Sequence, residues 1–524
     1  MCIVQAICRD TFCLLFVASK NGAWSKSDIR SFPKGFMFGV STSAYQIEGG
    51  CYEDGKGLSI WDIASHTKPS PIDDGSTGDI TVDSYHLYKR DISMLKDLGV
   101  DFYRFSISWT RILPNGFSNY VNSAGLRYYN HLINDLLKNG ITPFVTMYHW
   151  DLPYELHKLG GWTNPVTVDW FVDYANILFE SLGDRVKFWI TINEPKEICH
   201  EGYGSDMKAP FLNMSGIAEY ICAKNVLLAH AKVYHLYDEE YRTQQQGSIG
   251  IALNAKWFEP ASDTIDDHQA AIDARQFDWG LYAHPIFSKE GDYPTQVKNN
   301  VYAKSVEQGY AQSRLPELSA AEIAIIRGTS DFFGLNSFTT VLTYRDASLD
   351  GMFPVPSFRD DMGAVLTNDP SWPRSHSPWL QEVPWGFRKL LLEINKLYDN
   401  PPVYILANGW SSKRGLLDED RIQYMRNYLI ALLDAVKLGC NIKAYAAWTL
   451  MDSFEWLRGY TEKFGLYEVD FHSPDKTTTP RKSAFIYKEI IRSKKLDPNY
   501  EPEQYYEEKE IYRKESQEEG RVKN

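Results

Sequence analysis

The chain has 524 residues and a formal charge of −13, from 55 Lys and Arg against 68 Asp and Glu. That acidic balance excludes phosphate-backbone binding as the main task, because such binding needs a basic footprint. A 44% hydrophobic and 23% charged composition excludes disorder of the whole chain, and the length admits either one large α/β barrel or two to three ordinary domains.

In chain order, the first feature is a leader at 1–31. A short apolar stretch, Phe12–Ala18, follows Arg9, with small residues at Ala18–Ser19. It resembles an irregular secretory signal, so a secreted, extracellular protein is expected. A retained N-terminus, and with it a cytoplasmic location, is the alternative. No apolar run reaches the ~18–20 residues of a membrane span.

From residue 32 to 496 no linker or low-complexity tract interrupts the chain. Residues 36–40 read as a strand. Tyr85, Tyr88, Ile92, Leu95 and Leu98 recur at helical spacing. A strand at 98–108 follows, entered through Gly99. Tyr129, Leu132, Ile133, Leu136 and Leu137 form a second helical stripe, stopped by Gly140. Further strands are expected at 141–150, 186–193, 248–253, 331–338, 402–408 and 442–450. Eight strands, each separated from the next by room for a helix, predict a single (β/α)8 TIM barrel. A doubly wound sheet is the structural alternative. The tail at 497–524 is rich in Glu, Lys and Tyr and reads as a flexible, charged extension.

Seven cysteines include Cys2, Cys8 and Cys13 in the leader, and Cys51, Cys199, Cys222 and Cys440 beyond it. One or two disulfides, or free thiols, fit these spacings equally. No C-x-x-C is present. One glycosylation sequon stands at Asn213.

Polar and aromatic residues recur at the C-terminal ends of the strands: Arg104 and Ser106, His149 and Trp150, Asn193 and Glu194, Asn336, Asn408, Trp448 and Asp452. In a barrel that end is the active-site rim. A carboxyl at position 194, directly after an apolar strand, can have a raised pKa and act as a general acid.

The segments FPKGFMFGVSTSAYQIEGG (32–50), DFYRFSISWTRILP (101–114), YHWDLP (148–153), TINEP (191–195) and WTLMDSFEWLRGYTEKFGLYEVDF (448–471) closely resemble the family 1 glycoside hydrolases. These are retaining β-glucosidases and their relatives. PRKSAFIYKEII (480–491) is similar to the animal, insect-type branch. The resemblance implies that Gln46, His149, Asn193 and Glu455 hydrogen-bond a sugar. It makes Trp448 the floor on which the ring stacks, with Trp456 and Trp150 beside it, and Glu194 the acid/base. Stacking plus polar contacts is how a neutral polyol is held in an apolar cleft.

Two positions depart from the family. A retaining glycosidase needs two carboxyl groups about 5–5.5 Å apart. The family's nucleophile lies on the seventh strand in I/V-T-E-N-G, where this chain reads ILANG. Ala407 takes the nucleophile's position and Leu406 that of the usual Thr. On the sixth strand, where the family carries Asn-x-Tyr, residues 336–338 are Asn-Ser-Phe, so Phe338 has no hydroxyl to donate. Removing both partners of a buried polar pair is better tolerated than removing one. Arg104, which matches the family residue that normally faces the nucleophile, would then face water, chloride or a ligand carboxylate.

The expectation is a β-glucosidase-like protein that binds a β-glycoside with little or no retaining hydrolysis. One alternative is an active glycosidase or transglycosidase using another nucleophile or an external anion. For an inverting route Glu462 and Asp452 are the rim carboxyls to consider. Another alternative is a non-catalytic docking or structural role with a protein partner. No metal or organic cofactor is implied. His86, His149, His157 and His200 lack paired ligand spacing, and no nucleotide-binding glycine motif follows a strand.

Overall fold

A computed structural model describes residues 29–349, 355–413 and 415–503. The leader through residue 28, with its three cysteines, and the tail from 504 lie outside the described residues.

Each expected strand forms: β1 (Met37–Ser41), β2 (Phe102–Ser106), β3 (Thr142–Tyr148), β4 (Phe188–Asn193), β5 (Ser248–Asn254), β6 (Phe333–Asn336), β7 (Val403–Asn408) and β8 (Ile442–Trp448). They pair in parallel and close on themselves, β6 meeting β7 and β8 meeting β1. Closure removes the open edges that a doubly wound sheet would keep, and so excludes that alternative. Several strands are shorter than the apolar runs that announce them. At the second, Leu98 still belongs to the preceding helix, and Gly99 stops that helix at φ 72°. Left-handed backbone of this kind is cheap only for glycine.

The two helical stripes fold as α1 (Ser84–Leu98) and α2 (Ser123–Lys138). In each, the apolar face is buried and the last turn carries a lysine, which suits the negative end of the helix dipole. Further helices complete the outer layer: α3 (Thr167–Leu182), α4 (Ala218–Leu236), α5 (Ala320–Ile326), α6 (Pro384–Leu397), α7 (Glu419–Lys437) and α8 (Lys482–Ser493). The barrel interior below the rim is plugged by stacked aromatics. Phe102 and Phe144 lie 4.3 Å apart, and Phe144 and Phe188 4.1 Å apart. Leu406 is fully buried in this same cluster.

Arg30–Ser31, inside the expected leader, pair antiparallel with Lys495–Leu496 and tie the two ends of the domain together. The start of the expected tail is docked as well: Glu501 pairs with Lys482 at 2.6 Å, and the Tyr500 carbonyl accepts from Arg426. Cys199 and Cys222 form a disulfide between the wide turn after β4 and α4, while Cys51 and Cys440 are buried free thiols. Asn213 is exposed. Among the described residues no helix is long and apolar enough to cross a membrane.

The disulfide closes a 23-residue separation, for which constraint of the unfolded chain is worth about 3 kcal/mol. Replacing both cysteines by serine is expected to lower the melting temperature by several degrees. The native protein should show a similar fall under reducing conditions, and the double variant none.

Candidate active site

A cavity of ≈ 400 Å³ opens at the C-terminal ends of the strands, the end where barrels place their sites. His149, Trp150, Glu194, Asn336, Phe338, Ala407, Trp448, Glu455 and Trp456 line it. Gln46, Asn193 and Arg104 are not on its wall. Gln46 is fully buried, its amide donating to the Phe454 carbonyl at 2.8 Å and accepting from Ser43 at 2.7 Å. Asn193 and Arg104 act as support for the wall.

Three wall residues sit at positive φ without being glycine: Trp150 at 75°, Glu194 at 53° and Trp456 at 52°. Such backbone costs about 1–2 kcal/mol per residue and persists only where surrounding bonds hold it. Here the Glu194 amide donates to the Ala252 carbonyl at 2.8 Å, and the Trp150 indole donates to the Asn193 carbonyl at 3.0 Å. Register shifts in β4 before Asn193, and in β7 at Leu406–Ala407, re-aim the strand ends at the same level.

Glu194 is buried, which pushes its pKa up. The Asn336 amide, donating at 2.5 Å, and the more distant charges of Lys208 and Arg104 oppose that rise without cancelling it. A carboxyl raised in this way stays protonated further toward neutrality and can serve as a proton donor. His149 is held neutral by burial and by the Arg104 charge. Its Nε2 lies 3.1 Å from the Asn193 side-chain amide nitrogen.

Arg104 corrects an expectation. Expected to face water, chloride or a ligand carboxylate, it is 1% exposed, and each of its three guanidinium nitrogens donates to a neutral acceptor. Nε donates to Thr146 Oγ1 at 3.1 Å, and Nη2 to Asn193 Oδ1 at 2.6 Å. Nη1 donates to the Leu406 carbonyl at 3.2 Å and to Asn336 Oδ1 at 3.3 Å. No carboxylate is among its hydrogen-bond partners in the described residues. Burial accordingly pulls its pKa down to about 10, against a smaller opposing pull from Glu194.

One side of the cavity is aromatic. Trp150 lies 4.5 Å from Trp456, and the His149 ring is stacked 6.2 Å from Trp448 and 6.0 Å from Trp456. Glu455 closes the wall. Burial, and then the neighbouring Glu462, push its pKa up to about 8, while Ser453 donates to it at 3.1 Å. A neutral carboxyl can both donate and accept, which suits a pair of adjacent hydroxyls.

The same shift sets a pH dependence. Between the ordinary value of 4.5 and about 8, the folded state holds a proton on Glu455 that the unfolded state releases. That contribution to stability is fully present below 4.5 and is lost as pH rises through about 8. Glu455→Gln is therefore expected to gain stability relative to the native chain as pH rises from about 5 to 8, with a flat difference above. Paired thermal melts across that range check it.

Several wall residues carried no signal in the sequence. Lys208 sits 4.5 Å over the Trp150 ring and pairs with Glu201 at 3.2 Å. Lys196 reaches the same carboxylate at 2.6 Å. Burial opposes the charge on Glu201, but the two lysines outweigh it and hold its pKa well below the usual range. Glu197, bonded to the Asn254 amide at 2.8 Å, is pushed up to about 8 by burial. Trp379 stands at the mouth, 46% exposed and edge-on to Phe338 at 5.9 Å.

Of the two rim carboxyls considered for an inverting route, Asp452 lies off the cavity wall. It is fully buried and accepts both arms of Arg481, at 2.9 and 2.8 Å. Glu462 does line the cavity, but its oxygens accept from Ser377 and Arg458.

A family model, Glycosyl hydrolase family 1, matches residues 29–496. Myrosinase 1 of Brevicoryne brassicae is 44% identical over 88% of this chain and 99% of its own length. The cytosolic beta-glucosidase of Homo sapiens is 41% identical over 89% of this chain and 99% of its own. Among solved structures, an aphid myrosinase superposes with a TM-score of 0.84 over 88% of this chain and 99% of that chain, at 44% identity.

Proposed function

We propose that this chain, which belongs to glycosyl hydrolase family 1, binds β-glycosides in the rim cavity and carries out little or no retaining hydrolysis. The observation that carries the reading is the methyl group of Ala407 on the cavity wall, at the position that the family resemblance gives to the nucleophile carboxylate of a retaining mechanism. A methyl group cannot form a glycosyl ester. Losing a covalent nucleophile removes many powers of ten of rate.

Two further observations support it. Arg104 has its hydrogen bonds taken up by amide, hydroxyl and backbone acceptors, which is the state of a site adapted to lacking a carboxylate. Glu194, His149, Trp448, Glu455 and Trp456 remain together on the wall, which is what sugar binding requires. Two relatives bear on the ligand class in the same way. A solved beta-glucosidase of Humicola insolens in complex with glucose is 36% identical with a TM-score of 0.81, and the lactase-like protein of Homo sapiens is 43% identical. The disulfide fits an oxidising compartment and so a secreted protein. A second reading, turnover through another group, draws on Glu462 and Glu455 in the same cavity.

The test is nitrophenol release from nitrophenyl β-D-glucoside with and without added formate or azide, beside a binding titration with an iminosugar. Binding without release, or release only with the small anion, is the expected result. Release without additives at a rate ordinary for a β-glucosidase would sink the reading in favour of the second. Absence of binding by an intact fold would favour a docking or structural role.

A further inference from the structure

Away from the cavity, the loops that follow β1 bring together three residues whose sequence spacing matches no metal motif. Cys51 lies in the loop after the short helix Ala44–Ile47, His66 ends the helix Ile60–His66, and Asp79 sits in the loop before α1. One ligand atom from each lies within 4.8 Å of the other two. The Cys51 amide donates to the Asp79 carbonyl at 3.3 Å, so the two loops are already joined. Cys51 is 3% exposed, whereas the His66 and Asp79 side chains are 26% and 32% exposed, which leaves a path from solvent.

We propose that Cys51, His66 and Asp79 form a binding site for a divalent cation of the zinc class. A sulfur, an imidazole nitrogen and a carboxylate oxygen make a donor set that zinc accepts and that the hard cations, which prefer oxygen alone, do not. Zinc bonds of about 2.0–2.3 Å in a tetrahedron hold neighbouring donors about 3.3–3.6 Å apart, so His66 Nε2 and Asp79 Oδ1, now 2.7 Å apart, must part by roughly 0.5 Å while the group closes around the sulfur. His66 and Asp79, being partly exposed, are the side chains free to move that far.

The hydrogen bonds at the site are the ones an ion would replace. His66 Nε2 and Asp79 Oδ1 lie 2.7 Å apart, and a cation between them takes the place of the shared proton. The ring proton then resides on Nδ1, which has the Tyr52 hydroxyl 3.4 Å away. The Cys51 thiol donates to Asp62 Oδ1 at 3.1 Å. On binding, the sulfur–hydrogen bond breaks, a sulfur–metal bond forms, and the proton goes to solvent. Asp62 does not follow the sulfur, because its other oxygen is held by Lys56 at 2.9 Å and by the Ser59 amide at 2.7 Å. Water completes the fourth position. The site would brace the cavity from behind: the helix that supplies His66 also carries Trp61, whose ring lies 4.7 Å from that of Trp456.

The experiment titrates the reduced full-length chain with Co²⁺ and follows the near-ultraviolet thiolate-to-cobalt band, then displaces it with Zn²⁺. One equivalent is expected to produce the band. Cys51→Ser should abolish that equivalent's band. His66→Ala and Asp79→Asn should each weaken binding at least tenfold, with metal-free melting temperatures within a few degrees of the native value. Zn²⁺ should raise the melting temperature of the native chain and not of the variants. No band, or a band unchanged in Cys51→Ser, would overturn the proposal, the latter placing the metal on other thiols such as those of the leader. Should Cys51→Ser fail to fold, His66→Ala decides alone, because its side chain is at the surface: unchanged affinity there overturns the site.

Discussion

Ala407→Glu is expected to raise kcat/KM for nitrophenyl β-D-glucoside by about three powers of ten or more over the native chain. A single nucleophile accounts for effects of that order or larger when it acts with a positioned acid. The acid is present in Glu194, whose burial already holds its pKa up. The charge partner is present in Arg104, which donates to the Leu406 carbonyl one residue before the substituted position. A new carboxylate there would gain the guanidinium that burial now leaves without a paired anion. Recovery should be incomplete, because Phe338 offers no hydroxyl and Leu406 is committed to the barrel plug. Adding Phe338→Tyr is expected to give about a further tenfold, the usual scale for one hydrogen bond to a charged group. The variant should also form a covalent adduct with a 2-fluoroglucoside at position 407, detected by peptide mass, and the native chain should not. Equal rates in the native and Ala407→Glu chains would mean that position 407 is irrelevant to turnover.

Asp452→Ala is expected to destabilise the fold by about 3–5 kcal/mol, the cost of stranding one member of a buried ion pair. Arg481 and Asp452 have wholly buried side chains and meet through two bonds, and Asp452 also accepts the Gly465 amide at 3.0 Å. Arg481 in turn donates to the Gly465 carbonyl at 2.7 Å and to the Gly415 carbonyl at 2.9 Å, so the pair fastens the loops after β7 and β8 to the start of α8. The loss should appear as a large fall in melting temperature or as failure to accumulate folded protein. Asp452→Asn, which keeps the shape and one acceptor, should lose less. A melting temperature unchanged in Asp452→Ala would show that the pair contributes nothing net.

The barrel was legible because each of its strands is buried on both faces and so reads as a continuous apolar run. The helical stripes at α1 and α2 were legible from spacing, and their ends from Gly99 and Gly140. Rim residues such as His149, Glu194 and Trp448 could be found because strand ends are local in sequence. Lys208, Glu201 and Trp379 could not, since they come from long connections whose charged and aromatic residues look like any solvated loop. Asp452 shows the opposite failure: a rim-like position in the sequence is occupied by a carboxylate consumed in a structural pair.

From the residues alone came the fold class, the family, and the methyl group at position 407. All three depend on residue identity and short-range pattern, which one chain states outright. Whether Arg104 is stranded or satisfied, which cysteines pair, and whether Cys51, His66 and Asp79 meet were decided only by the tertiary structure. Each of those is a distance between segments far apart in sequence, and such distances exist only once the barrel has closed and its loops have packed against one another.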